Sequence, residues 1–135
     1  MDNNLSLLGI AKKAGLLAIG DESVGTAARA KKARVILSAS DASDGSKRRA
    51  RGYGEAYNAV HVIIPYDKAE LGMVIGRGTP GMLAVLDTGL AAGFLSGLAG
   101  DSPEEYGQAA ELLKKKAARA AERKKNTAGK GKKQG

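Results

Sequence analysis

Four residues between an apolar run and a helical pattern could bind an anion. Residues 20–23 read Gly-Asp-Glu-Ser, and they separate the apolar residues 15–19 from residues 24–32, whose apolar side chains recur at helical spacing. A strand–glycine–helix junction points several free backbone N–H groups and the positive end of the helix dipole at one place. Basic residues follow in the sequence: Arg29, Lys31, Lys32, Arg34, Lys47, Arg48, Arg49 and Arg51. The combination predicts a surface for a polyanion, with RNA as the first candidate.

The charge of the chain is unevenly distributed. Residues 1–110 carry 12 Lys/Arg and 12 Asp/Glu, whereas residues 111–135 carry 10 basic and 2 acidic residues and so hold the whole net charge of +8. Residues 29–51 form a second basic region, with eight basic and two acidic side chains. A positive region and a cationic C-terminal arm indicate what the protein binds rather than how it folds.

The composition indicates one globular domain with an aliphatic core. About 110 residues are enough to bury a core, and the chain has one Phe and no Trp. The absence of cysteine excludes disulfides and thiolate metal sites and is compatible with a reducing compartment. With no secretory signal and no apolar stretch of membrane-spanning length, we expect a soluble, cytoplasmic protein.

Strand-like and helix-like patterns alternate along the chain. Strands are predicted at residues 16–19, 34–38, 61–65 and 82–86, the second of them fully buried. Helices are predicted from Asn3 or Asn4 to Gly15, at residues 24–32 behind an Asp21 N-cap, at 46–57, at 71–75 behind a capping box of Asp67 and Glu70, and after Asp87. This order predicts an α/β fold, a three-layer α-β-α sandwich around a small, mixed four-stranded sheet, occupying residues 1–100.

A basic helix and tail are predicted after the sandwich. Ser102 and Glu105 form a second capping-box pattern with Pro103 at the first helical position, and a helix is expected over residues 101–125. Residues 126–135 have no apolar side chain larger than that of Ala128 to bury, so we expect them to be disordered in isolation. The basic clusters of the helix, Lys114–Lys116 and Arg123–Lys125, fit a solvated face, a membrane-surface patch or an RNA arm. The apolar stripe of the helix is small and Ala-rich, which argues against membrane insertion.

Two glycine-containing patterns resemble nucleotide-binding motifs, but neither has the context that the motif needs. Residues 76–81 match G-x-G-x-x-G, yet the predicted order is helix, glycines, strand, so no helix N-terminus would face a pyrophosphate. Residues 20–26 resemble a phosphate-binding loop, but Thr26 follows Gly25 where the lysine is required. The first pattern is interpreted as a flexible turn, and no nucleotide hydrolysis is expected from the second.

The residues that could carry catalysis or bind a metal are also explained by structure. Asp41, Ser43 and Asp44 resemble the start of a calcium loop, but Gly52 occupies the position of the required glutamate. His61 is the single histidine, and it has no cysteine or second histidine to form a zinc site or a nucleophile–base pair. We therefore expect no enzyme activity, no cofactor and no bound metal.

Three segments in a fixed order give the chain a family resemblance. Residues 20–24 open a helix, residues 32–42 (Lys-Ala-Arg-Val-Ile-Leu-Ser-Ala-Ser-Asp-Ala) follow it, and Leu71, Gly72 and Gly76 precede residues 79–82 (Thr-Pro-Gly-Met). From about Leu5 to Leu95 the chain resembles the kink-turn-binding ribosomal-protein superfamily, which includes large-subunit proteins seven-Ae and thirty-e, and in particular its small bacterial members. The resemblance implies an α-β-α sandwich that binds RNA with a sharply kinked internal loop containing sheared G·A pairs.

The resemblance also implies which residues touch the RNA. In relatives, the N-terminus of the second helix enters the opened major groove, and here that surface comprises Gly20, Asp21, Glu22, Ser23 and Thr26. The loop before the last strand covers an extruded nucleotide, and here it comprises Thr79, Pro80, Gly81 and Met82. We expect the side chains of Pro80 and Met82 to offer an apolar surface to the unstacked base. Independently of the resemblance, we expect Arg29, Lys32 and the basic tail to add non-specific affinity through phosphate contacts. Archaeal and eukaryotic relatives usually have Asn-Glu where this chain has Glu22-Ser23, and a lysine where it has Thr26, so base reading is expected to be weaker or altered.

Three functional hypotheses follow from the sequence. The first is a monomeric, non-enzymatic protein that binds kink-turn-like structured RNA, with ribosomal RNA and the ribosome as candidate partners and no membrane partner. The second is an accessory module that recruits an RNA-modifying or RNA-processing catalyst held on another chain. The third is a small-molecule-binding α/β domain with its site at residues 76–81. For Glu22 and Ser23, ordinary first-turn helix chemistry remains the alternative to base reading.

Overall fold

Helices and strands alternate through the whole domain. The computed structural model describes residues 3–76 and 78–134, with side chains as far as Lys125. Its elements are α1 (Asn3–Lys13), β1 (Leu17–Ile19), α2 (Asp21–Arg29), β2 (Val35–Ser38), α3 (Asp44–Tyr57), β3 (Val60–Ile63), α4 (Lys68–Ile75), β4 (Met82–Val85), α5 (Thr88–Asp101) and α6 (Pro103–Gln134). The predicted order of elements is confirmed.

The four strands form one mixed sheet in the order β1-β4-β2-β3. The central strand β2 is antiparallel to β4 and parallel to β3, and β1 pairs antiparallel with β4. All four residues of β2 are buried, as its continuous apolar run predicts. The predicted three-layer sandwich with a mixed sheet is confirmed.

Alternate side chains of the sheet enter two separate cores. Val35 and Leu37 point to the larger core, which is filled by the apolar faces of α1, α4, α5 and α6. Ile36 points to the smaller core beneath α2 and α3, which is lined largely by alanine. Small side chains let α2 and α3 approach the sheet and each other closely, and this closeness shapes the surface described below.

The C-terminal helix is part of the fold. Ser102 alone separates α5 from α6, so α6 turns back and packs along α5. Leu113 is fully buried in the larger core, and the Tyr106 hydroxyl donates a 2.7 Å hydrogen bond to the Ile63 carbonyl at the end of β3. Among the described residues, no helix is both long enough and apolar enough to cross a membrane.

The predicted helix signals at Gly15, Asp67, Gly76 and Asp87 are confirmed. Gly15 has a left-handed φ of +73° and follows α1, Asp67 and Glu70 form the full capping box of α4, and Gly76 ends that helix in the left-handed region. Asp87 caps α5 by accepting the Leu90 N–H at 2.9 Å. These confirmed positions are ones where a short-range hydrogen bond or a positive φ fixes the chain.

Several element boundaries differ from the predicted ones. The structure starts α2 at Asp21 rather than Val24 and ends it at Arg29, because Lys31 turns into the left-handed region with φ 59°. It ends β3 at Ile63, two residues before the predicted end, and starts α3 at Asp44, behind a Ser43 N-cap. The division of the chain at residues 100 and 125, and the disorder of residues 126–135 in isolation, stay predictions.

Candidate nucleic-acid interface

Gly20 sets the geometry of the junction between β1 and α2. It is the N-cap of α2, with φ 91° and ψ 163°, a conformation that costs glycine little and other residues much. Because glycine has no side chain, no side-chain oxygen caps this helix end. The N–H groups of the first turn are therefore available to an outside acceptor. The predicted Asp21 N-cap is wrong, since Asp21 is the first helical residue and its carboxylate is bonded elsewhere.

The loop before β4 lies directly beside this helix end. The Gly20 N–H donates a 2.9 Å hydrogen bond to the Met82 carbonyl, which ties the junction to the start of β4. We call residues 20–23 the recognition tip and residues 78–81 the lip. Ile19, Gly20, Gly78, Thr79 and Pro80 together line an open cleft of about 390 Å³ between them. The two segments that the sequence predicted to share a ligand thus share one surface.

The lip is held in place by glycine in the preceding helix. A Cβ atom on Gly72 of α4 would lie 2.1 Å from the Gly78 carbonyl oxygen, a distance that no real contact allows. Gly78 itself has a left-handed φ of +61°. At the other end of the lip, the Gly81 carbonyl accepts the Ala39 N–H at 2.9 Å. The lip can therefore lie against α4 only because Gly72 has no side chain.

The exposed face of α2 forms a second groove next to the tip. Glu22, Ser23 and Thr26 are exposed, and they line the groove together with Lys32 and the outer residues of β1. The Thr26 hydroxyl donates a 3.0 Å hydrogen bond to the Glu22 carbonyl, so its oxygen is left to accept. Lys32 provides a cation in the groove where Thr26 lacks one. Arg29 is exposed in the last turn of α2.

Two residues of α3 that the sequence analysis did not place at the site complete it. The Tyr53 hydroxyl donates a 2.6 Å hydrogen bond to one carboxylate oxygen of Asp21, and Arg49 forms an ion pair and hydrogen bond with the other. Gly25 makes room for the tyrosine, since a Cβ there would lie 2.9 Å from the Tyr53 hydroxyl oxygen. Arg49 and Tyr53 are four residues apart on one face of α3, which is the sequence signal that could have paired them.

This contact network sets the charge at the tip. The Tyr53 hydrogen bond, together with the Arg49 guanidinium, holds the pKa of Asp21 below its usual value, against the opposing effect of desolvation. The hydrogen bond to Asp21, with burial, raises the pKa of Tyr53. At neutral pH Asp21 is thus an anion neutralised by Arg49, so its charge is not the bare negative charge that the sequence alone implies.

Met82 does not take the role predicted for its side chain. That side chain is 2% exposed and belongs to the smaller core, so it offers no apolar surface to a base. Met82 contributes its carbonyl group to the tip instead, through the bond to Gly20. The apolar part of the lip is the half-exposed ring of Pro80.

The other residues considered for catalysis have structural partners. His61 Nε2 lies 2.9 Å from the Oγ of Ser38, which is fully buried, and burial lowers the pKa of His61, with a smaller effect from Arg51. The Asp41 carboxylate accepts the Lys68 N–H at the start of α4. In the described part of the chain, no group of three His, Cys, Asp or Glu residues is arranged to hold a metal ion.

Comparison with solved structures identifies the fold. The chain is similar to a protein of unknown function from Bacillus halodurans, with 24% sequence identity over 73% of this chain and 98% of that one and a TM-score of 0.66. It is also similar to the Giardia lamblia 15.5kD RNA binding protein, with 15% identity over 81% of this chain and 85% of that one and a TM-score of 0.57. The sandwich is therefore a fold that also occurs in an RNA-binding protein.

Sequence comparison adds no closer assignment. No protein-family model matches the chain, and no significant match occurs among curated proteins. At these identities the two solved structures establish the fold, and the role of the surface has to be argued from its own chemistry.

Proposed function

We propose that this protein is a non-enzymatic RNA-binding protein that recognises kink-turn-like structured RNA through the recognition tip and the lip. The observation that carries the proposal is the hydrogen bond from the Gly20 N–H to the Met82 carbonyl, which joins two distant segments into one surface. Support also comes from the fold, which is similar to that of an RNA-binding protein. Localisation in the cytoplasm and a monomeric state are part of the proposal.

The recognition tip has the chemistry to bind base edges. Regular A-form RNA hides its base edges in a deep, narrow major groove, whereas a sharp kink opens that groove. The exposed Glu22 carboxylate can accept hydrogen bonds from the N–H groups of guanine, and the Ser23 hydroxyl can donate or accept. Each well-formed contact of this kind discriminates by about 1–3 kcal/mol. The uncapped N–H groups beside them suit a phosphate oxygen.

The lip supplies a surface for an unstacked base. The half-exposed Pro80 ring is apolar, and Gly78 and Thr79 have little side-chain bulk, so a flat base can approach the backbone closely. In this proposal, a nucleotide turned out of the kink is covered in the cleft between lip and tip. Base reading and base covering would then occur within one cleft.

Cations around the tip can bind the crowded phosphates of a kink. Arg49 is directed to the tip by Asp21, Arg29 lies in the last turn of α2, and Lys32 lines the groove beside that helix. Phosphate contacts of this kind give affinity and salt dependence but little sequence preference. We therefore assign discrimination to the tip and lip and most of the affinity to the cations.

A gel-shift titration tests the proposal. One RNA carries a kink-turn, and a matched RNA has its sheared G·A pairs replaced by Watson–Crick pairs. We expect tighter binding to the kink-turn by at least about tenfold, which corresponds to one good base contact. Equal affinity for both RNAs would refute specific recognition and leave only electrostatic binding.

An accessory role in a larger RNA-modifying or RNA-processing assembly is a second candidate function. It is favoured by an apolar groove between α1 and α4, where Ile10 is 53% and Met73 is 83% exposed. Purification from cells followed by RNA sequencing would identify the RNA and separate ribosomal from other targets. Loss of a co-purifying enzyme on Ile10→Ser and Met73→Ser substitution, with RNA binding unchanged, would support the accessory role.

A further inference from the structure

A second basic site lies at the opposite end of α2 from the recognition tip. A cleft of about 350 Å³, which we call the basal cleft, is lined by five cationic side chains: Lys31, Arg34, Lys116, Arg119 and Arg123. Tyr57, Asn58 and Thr88 provide its aromatic and polar surface. These residues come from the ends of α2 and α3, the starts of β2 and α5, and the middle of α6, so the cleft exists only in the folded chain.

The fold brings the five cations together by separate means. Lys31 sits in the left-handed turn that ends α2, and Arg34 immediately precedes β2. Lys116, Arg119 and Arg123 recur at the i, i+3, i+7 spacing that places side chains on one face of a helix. The burial of Leu113 fixes the rotation of α6 and so turns that basic face towards the sandwich.

Among the described residues, no carboxylate forms an ion pair with the cations of the basal cleft. Its lining contains no carboxylate, and among the described residues the single ion pair joins Arg49 and Asp21 at the other end of α2. Asp87, next to Thr88 in the sequence, uses its carboxylate to cap α5. Several cations gathered in one concave surface without counter-charges create a field that attracts a polyanion.

We propose that the basal cleft binds the phosphodiester backbone of a second RNA segment. Its recessed shape suits a single phosphate chain better than a flat membrane surface. Three arginines offer planar forks that bind phosphate oxygens in pairs, and the hydroxyl and amide groups of Thr88 and Asn58 can reach ribose oxygens. The choice of RNA as the polyanion rests on the proposed function.

The position of the cleft predicts which part of the RNA it contacts. The nine residues of α2 rise about 1.5 Å each, so tip and cleft are separated by about 14 Å along this helix. That distance lies within one helical turn of duplex RNA. A stem that leaves the kink and extends along α2 would reach the cleft, whereas a stem cut close to the kink would not.

Two variants with equal loss of charge test this inference. The cleft variant carries Arg34→Gln, Lys116→Gln, Arg119→Gln and Arg123→Gln. The control variant carries Lys114→Gln, Lys115→Gln, Lys124→Gln and Lys125→Gln, which are exposed lysines outside the cleft lining. Both are titrated over a range of salt with a kink-turn RNA that has short stems and with one whose stem is a full turn longer.

We expect the wild type and the control variant to bind the longer RNA at least about tenfold more tightly than the short one, and the cleft variant to bind both alike. The salt slope of the cleft variant on the longer RNA should fall by about 0.9 for each lost phosphate contact. Equal loss of RNA affinity in the two variants would overturn the inference. So would a cleft variant that keeps its RNA affinity but loses binding to anionic phosphatidylserine vesicles.

The test separates this inference from the proposed function. The comparison of short and long stems is repeated on RNAs whose sheared G·A pairs are replaced by Watson–Crick pairs. In these RNAs the gain in affinity from the longer stem depends on the cleft and not on the tip. Because the chain has no cysteine, a single Thr88→Cys substitution can carry an iron chelate that cuts nearby RNA. Cleavage in the extended stem is expected from a chelate on Thr88→Cys but not from one on Gln108→Cys, an exposed position of α6. Absence of cleavage from both positions would refute the cleft contact.

Discussion

The Asp21 carboxylate ties the recognition tip to α3. The carboxylate accepts hydrogen bonds from Tyr53 and Arg49 of α3, which places a guanidinium beside the first turn of α2. An acid at a site for a polyanion would otherwise repel its ligand. In the proposed function, Asp21 instead positions the Arg49 guanidinium for a phosphate.

Asp21→Asn should reduce stability in a pH-dependent way. The native pKa of Asp21 lies below its ordinary value of 3.8, so its stabilising contribution is present above that pH and is lost as the pH falls through the native pKa. Since the pair is partly exposed, we expect a loss of under about 1 kcal/mol at neutral pH. Urea denaturation at several pH values checks this. A difference that persists unchanged at pH 2, or that Glu111→Gln reproduces, would contradict it.

Replacing Glu22 and Ser23 with alanine should reduce discrimination between kink-turn and control RNA. The two side chains are exposed and have no role in the core, so the fold should be unaffected. Removing Glu22 also removes a negative charge, so binding to the control RNA should stay the same or strengthen slightly. Titration of both RNAs with this variant and with Glu111→Ala measures the effect. Unchanged discrimination would mean that Glu22 and Ser23 serve only the helix.

Only part of this candidate site could be predicted from the sequence, because some of its residues come together only through the packing of helices. Residues 20–23 and 79–81 could be predicted because a glycine at a strand–helix junction and a Thr-Pro-Gly loop are local signals. Arg49 and Tyr53 could not be assigned to the tip, since their contact with Asp21 depends on how α3 packs against α2. The prediction that the Met82 side chain lies on the surface was wrong. Its burial follows from the packing of α2 and α3 over β4, which the sequence does not reveal.

At the scale of elements, α4 and the lip act as one unit. The contact between Gly72 and the Gly78 carbonyl leaves no room for even one extra carbon atom. The sequence predicted α4 from its capping box and Gly76, but it gave no reason for the glycine in the middle of the helix. Only the return of the chain over α4 explains that residue.

Gly72→Ala should displace the lip. The added methyl group meets a backbone carbonyl at 2.1 Å, which cannot move without moving the loop. We expect a loss of about 1–3 kcal/mol in stability, the usual range for overpacking, together with weaker discrimination between the two RNAs. Thermal unfolding and gel shifts measure both. The control Gly93→Ala adds its methyl group in open space on α5 and should stabilise the folded protein by about 0.5–1 kcal/mol. Unchanged stability and discrimination in Gly72→Ala would contradict the close contact.

Element order and type were predictable because hydrophobic periodicity and capping signals are local. Boundaries were less predictable at α2 and β3, where a glycine N-cap without a side chain and an early strand end follow from tertiary contacts. The packing of α6 against α5 could not be predicted either, because an Ala-rich apolar stripe does not indicate which element it packs against.

For the whole molecule, the part of the cationic arm that follows Lys125 should raise affinity without adding specificity. Truncation after Lys125 removes Lys130, Lys132 and Lys133 while keeping the buried Leu113 and the basal cleft. Affinity for all RNAs should fall alike, and the salt slope should flatten by about 0.9 per lost contact. Salt titrations of the truncated and full chains with both RNAs check this. Loss of discrimination on truncation would show that the arm reads structure.

The cations crowded between α6 and the sandwich have an energetic cost when no ligand is present. Five like charges repel one another across the seam where that helix docks, and Leu113 and Tyr106 must hold it closed. Raising the ionic strength screens this repulsion, so the free protein should melt at a higher temperature in more salt, while its complexes dissociate. Calorimetry would then show opposite salt trends for the empty and the loaded molecule, and a parallel decline in both would argue against an electrostatically strained seam.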